Sequence, residues 1–201
     1  MRSRIVVIGL LAVVVAGVVA PQVARRGSSK PALQPGQVSL VGDSLNLGVE
    51  PYLREELRRW RIDADDEVGR STAIGIEHLK AKGASLAPYV VVSLGTNDQV
   101  DAVDAFRSSV AVALQIAGGN RCVVWATIHR DGDAYEPFNE VLTAAASHNR
   151  NLRLVEWSSM IRDHPDRLAG DGIHGSSAGY RARAHAVVDA LRACPPKRLR
   201  A

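Results

Sequence analysis

Four short polar segments hold the side chains of this chain that could attack a carbonyl: Gly42-Asp43-Ser44-Leu45, Val68-Gly69-Arg70, Gly95-Thr96-Asn97-Asp98 and Asp171-Gly172-Ile173-His174. Together they offer a hydroxyl, an imidazole, a carboxylate, a carboxamide and glycine amides, the parts of an acyl-transfer site. A serine hydroxyl needs a base to take its proton, and His174 is the candidate for Ser44. Asp171 precedes that histidine by three residues, so one tight turn brings its carboxylate to the imidazole, where it would fix the tautomer and stabilise the imidazolium. The oxyanion formed by the attack needs donors fixed beforehand. The backbone N–H groups of Ser44 and Gly69 and the side-chain amide of Asn97 are the candidates, and losing one such donor costs on the order of 10²–10³ in rate. A glycine at 69 lets substrate approach the backbone with no side chain in the way.

These four segments, in this order and followed by Gly179-Tyr180, resemble the blocks of the SGNH, or GDSL-like, hydrolases. Gly-Asp-Ser alone is a weak signal; all four blocks in sequence are a strong one. The resemblance implies a three-layer α/β/α sandwich with a five-stranded parallel sheet (flavodoxin-like), and hydrolysis of acyl esters or removal of acetyl groups with no metal or other cofactor. It makes Ser44 the nucleophile, Gly69 and Asn97 oxyanion donors beside the Ser44 amide, and Asp171 and His174 the rest of the triad. It also brings polysaccharide and cell-wall acetyl groups into view as substrates. The chain departs from the family at Gly175, where a large apolar residue usually follows the histidine. Nor does the serine sit in the Gly-x-Ser-x-Gly elbow of ordinary α/β-hydrolases.

Each residue also has a plainer role open to it. Ser44 could cap the helix after it, and Asp43 could be a cap or loop brace with no catalytic part. Asp98 is expected to cap the next helix. His78, His148 and His185 fall on expected helices and read as solvated. Trp125 and Trp157 read as core. His129, Arg130 and Asp131 follow the fourth strand on the side of the site; His129 and Arg130 are the candidates for substrate binding, against a reading as ordinary loop polars. No further histidine or cysteine has a spacing that supports metal binding.

The segments need elements to hold them. Gln37–Val41, Ile62–Val68, Ala87–Leu94, Arg121–Ile128 and Leu152–Trp157 read as strands. Helices are expected at Val49–Trp60 (Leu53, Leu57 and Trp60 inward), Ser71–Lys82 (Ile74, Ile76 and Leu79 inward, Gly83 as cap), Val100–Ile116, Pro137–His148 and Ser177–Ala193. Alternating helices and continuous apolar strands argue for a parallel sheet covered on both faces. Such sheets place ligands beyond the carboxyl ends of their strands, where three of the four polar segments fall.

Composition narrows the rest. At 201 residues and 46% hydrophobic, the chain suits one folded domain with an aliphatic core. Its net charge of +4 misleads. Eight of the 25 lysines and arginines lie in residues 1–36 and 197–201, which contain no acids, leaving a body with 17 bases against 21 acids. A mildly acidic body argues against nucleic acid as a partner. Residues 1–24 begin with Met1-Arg-Ser-Arg4, run apolar from Ile5 to Ala20, and read as an uncleaved signal anchor or a cleaved signal peptide. Residues 25–36 read as a linker, 37–196 as the catalytic domain and 197–201 as a basic tail. The body is therefore expected outside the cytoplasm, secreted or held at the membrane by the N-terminal segment. Cys122 begins the fourth strand and Cys194 ends the last helix, both at the amino end of the sheet, so a disulfide between them is expected in that compartment. Three functions remain open: a serine esterase or deacetylase cleaving acetyl or short acyl esters, an O-acyltransferase that passes the acyl group to cell-wall or polysaccharide hydroxyls, and a binding module that keeps the pocket without turnover.

Overall fold

The computed structural model describes residues 35–130 and 132–194. The leader, nearly all of the linker, Asp131 and the basic tail lie outside the described residues. Among the described residues no helix is long and apolar enough to cross a membrane.

The elements run β1 (Gln37–Gly42), α1 (Ser44–Glu56), β2 (Arg61–Asp66), α2 (Thr72–Lys82), β3 (Tyr89–Ser93), α3 (Val103–Ala117), β4 (Cys122–Ala126), α4 (Glu136–His148), β5 (Leu152–Val155), α5 (Trp157–Asp163) and α6 (Ser177–Arg192). The sheet is parallel throughout, in the order β2-β1-β3-β4-β5, so the expected fold class is the observed one. Successive strand residues face opposite layers. Val41, Val90, Val92, Val123 and Trp125 pack with α2, α3 and α4; Val38, Leu40, Val91 and Val124 pack with α1, α5 and α6. The chain leaves β1 for one layer and β2 for the other, which makes the gap between the carboxyl ends of β1 and β3 the topological switch point. At the opposite end of the sheet a disulfide joins Cys122 to Cys194, with Cα atoms 6.0 Å apart.

Several elements differ from expectation, each for an identifiable reason. Helix α1 begins five residues earlier than the periodicity suggests, because Asp43 accepts the Leu45 N–H at 3.0 Å and caps it there. It ends at Glu56, and Trp60 lies beyond it, its ring 5.1 Å from that of Tyr89. In α2 the buried face is Thr72, Gly75, Ile76 and Leu79; Ile74 stands two residues from Ile76, on the far side of the helix, and is 51% exposed. Asp98 caps α2 rather than α3, accepting the Thr72 N–H at 2.8 Å. Strand β5 stops at Val155, and Trp157 opens the short helix α5, where it is fully buried. His78 and His185 do lie at the surface, their side chains 39% and 56% exposed, and pair there with Asp65 and Glu56, each at 3.0 Å.

Candidate active site

The Asp43 cap has a consequence for chemistry. It places Ser44 in the first turn of α1, directly off the carboxyl end of β1. The Asp43 N–H donates to the Ser93 carbonyl at 3.0 Å, which carries the β1–β3 pairing one step past the strand. A residue at this helix position has an N–H with no intrahelical acceptor, and the helix dipole favours negative charge there.

His174 reaches this serine from the far end of the chain. Its Nε2 lies 2.9 Å from Ser44 Oγ, and its Nδ1 lies 2.6 Å from Asp171 Oδ2. The other Asp171 oxygen accepts the backbone N–H groups of Ile173 and His174 at 3.0 and 2.9 Å. The bond to His174, then these two N–H bonds, hold the Asp171 carboxyl well below the usual carboxylate range. The His174 side chain is 39% exposed and that of Asp171 49%, so water reaches this side of the constellation. The loop is tied at both ends: the Ala169 N–H donates to the His174 carbonyl at 2.7 Å, and the Ser176 N–H to the Arg167 carbonyl at 2.7 Å. Ser176 in turn caps α6.

Gly175 is also explained. A Cβ there would meet the Tyr180 ring at 3.0 Å, and one at Gly48 would fall 2.1 Å from the Tyr180 Cζ. The Tyr180 ring lies between the two glycines, linking α1 to the histidine loop and filling the space that an apolar side chain at 175 would need.

Asn97 lies where three segments meet. Its Nδ2 is 3.2 Å from Asp43 Oδ2 and 3.3 Å from the Arg70 carbonyl, one residue from Ser44 and one from Gly69. The amide hydrogens therefore point at protein acceptors over contacts longer than the usual mode of about 2.9 Å. Gly69 is exposed in the β2–α2 loop with φ +75°. Arg70 braces that loop from inside: it is buried and donates to the Asp65 carbonyl and carboxylate.

The residues that follow β4 sit differently. Arg130 donates to the Thr96 carbonyl and lies over the Tyr135 ring at 5.9 Å, so it steadies the Asn97 loop. His129 is partly buried, and burial together with Arg162 disfavours its protonated form. Among the described residues no group of three or more His, Cys, Asp or Glu could hold a metal ion.

Asp66 pairs in register with Gly42, beside the site. Asn46 donates to one of its oxygens at 2.8 Å, while the other is buried with no protein donor. Burial raises its carboxyl from an ordinary value of 3.8 to about 6, with Glu50 and Asp65 adding to the effect. Because the folded pKa lies above the unfolded one, the folded state holds the extra proton between about pH 4 and 6. Stability should fall as pH rises through that window. Asp66→Asn keeps the oxygen that Asn46 uses. It is expected to raise stability at pH 7 by about 1–2 kcal/mol and to remove most of the pH 4–6 slope in urea melts. A variant slope equal to that of the wild type would show that Asp66 ionises normally.

Helix α6 also buries a charge that no motif marks. Arg183 on α6 is 2% exposed, donates to the Ser93 hydroxyl at 2.8 Å and lies over the Trp157 ring at 4.9 Å. The signal was present: Gly179, Arg183, Val187 and Val188, and Ala190 and Leu191 form the buried stripe of α6, with one charge set among apolar residues.

No family model matches the chain. Two curated relatives do. Over 166 residues it is 26% identical to YrhL of Bacillus subtilis, provisionally a peptidoglycan O-acetyltransferase, covering 81% of this chain and 25% of that one. Over 158 residues it is 27% identical to the peptidoglycan O-acetyltransferase OatA of Listeria monocytogenes, covering 73% and 22%. The chain thus spans about a quarter of the length of these relatives. Among solved structures it resembles a lipase/acylhydrolase from Enterococcus faecalis, with TM-score 0.70, 17% identity, and coverage of 81% of this chain and 99% of that one. It also resembles the C-terminal catalytic domain of OatA from Streptococcus pneumoniae, with TM-score 0.66, 19% identity, and coverage of 80% and 94%. The fold is that of the SGNH, or GDSL-like, hydrolases.

Proposed function

We propose that this chain, with its SGNH hydrolase fold, is a serine enzyme that takes an acetyl or short acyl group from an ester through an acyl-enzyme. The observation that carries the proposal is the 2.9 Å approach of Ser44 Oγ to His174 Nε2, with Asp171 on the other ring nitrogen at 2.6 Å. The Ser44 hydroxyl gives its proton to Nε2 as its oxygen bonds to the ester carbonyl carbon. Asp171 accepts a hydrogen bond from Nδ1–H, without taking the proton, and steadies the imidazolium. The oxyanion is met by the N–H groups of Ser44 and Gly69 and by Asn97, whose long bonds to Asp43 and Arg70 leave it able to share a hydrogen. Collapse expels the alcohol, which takes the proton from Nε2. A second acceptor then gives its proton to Nε2 as its oxygen bonds to the acyl carbon, and Ser44 Oγ leaves by taking that proton back from Nε2.

That acceptor decides the name of the reaction. The exposure of His174 and Asp171 favours water, and so an esterase or deacetylase. The two peptidoglycan O-acetyltransferases among its relatives favour a second reading, transfer to a glycan hydroxyl. Both fit the extracytoplasmic body expected behind the N-terminal segment, and neither calls on a cofactor. Incubation with para-nitrophenyl acetate, with and without peptidoglycan fragments, separates them. Release of acetate at the same rate in both conditions supports hydrolysis. Loss of acetate matched by O-acetylated glycan in mass spectra supports transfer. No turnover of esters from acetyl to octanoyl and no acyl transfer would reject the proposal.

A further inference from the structure

Behind the reacting serine lies a buried polar chain with one cation and one carboxylate. Arg183 Nη2 donates to Ser93 Oγ at 2.8 Å, and Ser93 Oγ lies 3.4 Å from Asp43 Oδ1. The same Asp43 carboxylate accepts the Leu45 N–H at 3.0 Å and the Asn97 amide at 3.2 Å. Asp43 is 0% exposed, Ser93 3% and Arg183 2%. These contacts join three segments that chemistry requires to stay in register: the start of α1, which carries Ser44; the β3–α3 loop, which carries Asn97; and α6, whose first turn anchors the His174 loop. A stack of apolar residues could hold the same layers together without desolvating two charges, so stability alone is a weak reason for the arrangement.

We propose that Arg183 is a positioning residue for the acyl-transfer site, holding Asp43 as a carboxylate so that it aims the first turn of α1 and the Asn97 amide at the same point. The proposal rests on the serine-enzyme reading above. Burial pushes the Asp43 carboxyl up and Arg183 pulls it down. Without the cation the carboxyl would hold a proton up to higher pH. A protonated carboxyl gives up acceptor capacity, so the Asn97 and Leu45 donors would lose a shared anchor.

The test measures kcat and KM for para-nitrophenyl acetate across pH, per folded molecule by near-ultraviolet circular dichroism, in the wild type, Arg183→Met, Arg183→Lys and Ser93→Ala. Arg183→Met should lower kcat by roughly 10–100-fold, somewhat less than loss of a whole oxyanion donor, with KM within about threefold. Its activity should climb toward higher pH as Asp43 ionises. In the native chain the groups facing Asp43 are Arg183 and Tyr180 from α6, Ser93 from β3, Asn97 from the β3–α3 loop and the Leu45 N–H from α1, and Arg183→Met removes the cation while the others stay. In the wild type, where Arg183 offsets part of the upward push of burial, the same ionisation should fall at lower pH, and Arg183→Lys should recover much of both kcat and the profile. Ser93→Ala, a small change, should lower kcat in the same direction by about 3–10-fold, and it decides the matter if Arg183→Met does not fold. A folded Arg183→Met with wild-type kcat and pH profile overturns the proposal, as does Ser93→Ala with wild-type kcat where Arg183→Met is unfolded. A wild type that turns over no ester removes the catalytic reading and this inference with it, and it does so before any variant is compared.

Discussion

Ser44→Ala is expected to abolish covalent labelling by a fluorophosphonate and to lower para-nitrophenyl acetate turnover about 10⁴-fold or more, to a floor set by binding and the oxyanion donors alone. The size follows from the role. On the proposed mechanism, removing the hydroxyl removes the acyl-enzyme and leaves His174 facing a methyl group. The fold should not change, because Ser44 does not hold α1 in place. Asp43 is the cap, and alanine is a good helix former in the first turn. The melting temperature should therefore stay within about 2 °C of the wild type, since an exchange away from core and cap is worth only about 0.5 kcal/mol. Equal labelling of Ser44→Ala and wild type would show that another residue is the nucleophile. Loss of labelling with a collapsed melting temperature would instead show that Ser44 serves the fold.

Much of this site could be read before any coordinates. Buried parallel strands advertise themselves as continuous apolar runs, and β1, β3 and β4 are fully or nearly fully buried along their length. The polar segments that break those runs are then fixed in space by the sheet, so Ser44 and Asn97 fall together at one switch point. His174 came within reach because Asp171 and α6 flank it in sequence. The misreadings lie where the deciding contact is distant. Asp98 looks like a cap for the helix that follows it, yet its partner is Thr72, 26 residues earlier. Helix α5 is seven residues long, too short for a 3.6-residue period to show. The raised Asp66 carboxyl depends on its burial, with Glu50 and Asp65 adding negative charge nearby, and a window of sequence does not contain that environment. Arg183 is a different case: its place on the apolar stripe of α6 was visible, but its partner Ser93 lies 90 residues away.

Asp171→Asn carries the second largest expected effect, and the structure says which atom is responsible. In the native loop one carboxylate oxygen accepts the N–H groups of Ile173 and His174 while the other faces His174 Nδ1. Asparagine can leave its carbonyl oxygen on the two backbone donors, so the loop geometry survives. Its NH₂ group then faces Nδ1 and donates to it. The imidazole is thereby held with its hydrogen on Nε2, the nitrogen that must accept the Ser44 proton. A fully buried triad loses about 10⁴ in kcat by this change. Here the carboxylate is about half exposed, so water can restore the productive tautomer part of the time, and a loss of about 10²–10³-fold is expected. Fluorophosphonate labelling should slow in proportion, because it uses the same proton transfer. The melting temperature should barely move, whereas Asp171→Ala, which also removes the acceptor for Ile173 and His174, should lose both rate and loop order. An Asp171→Asn enzyme within threefold of wild-type kcat would mean that His174 works without Asp171, as one half of a dyad.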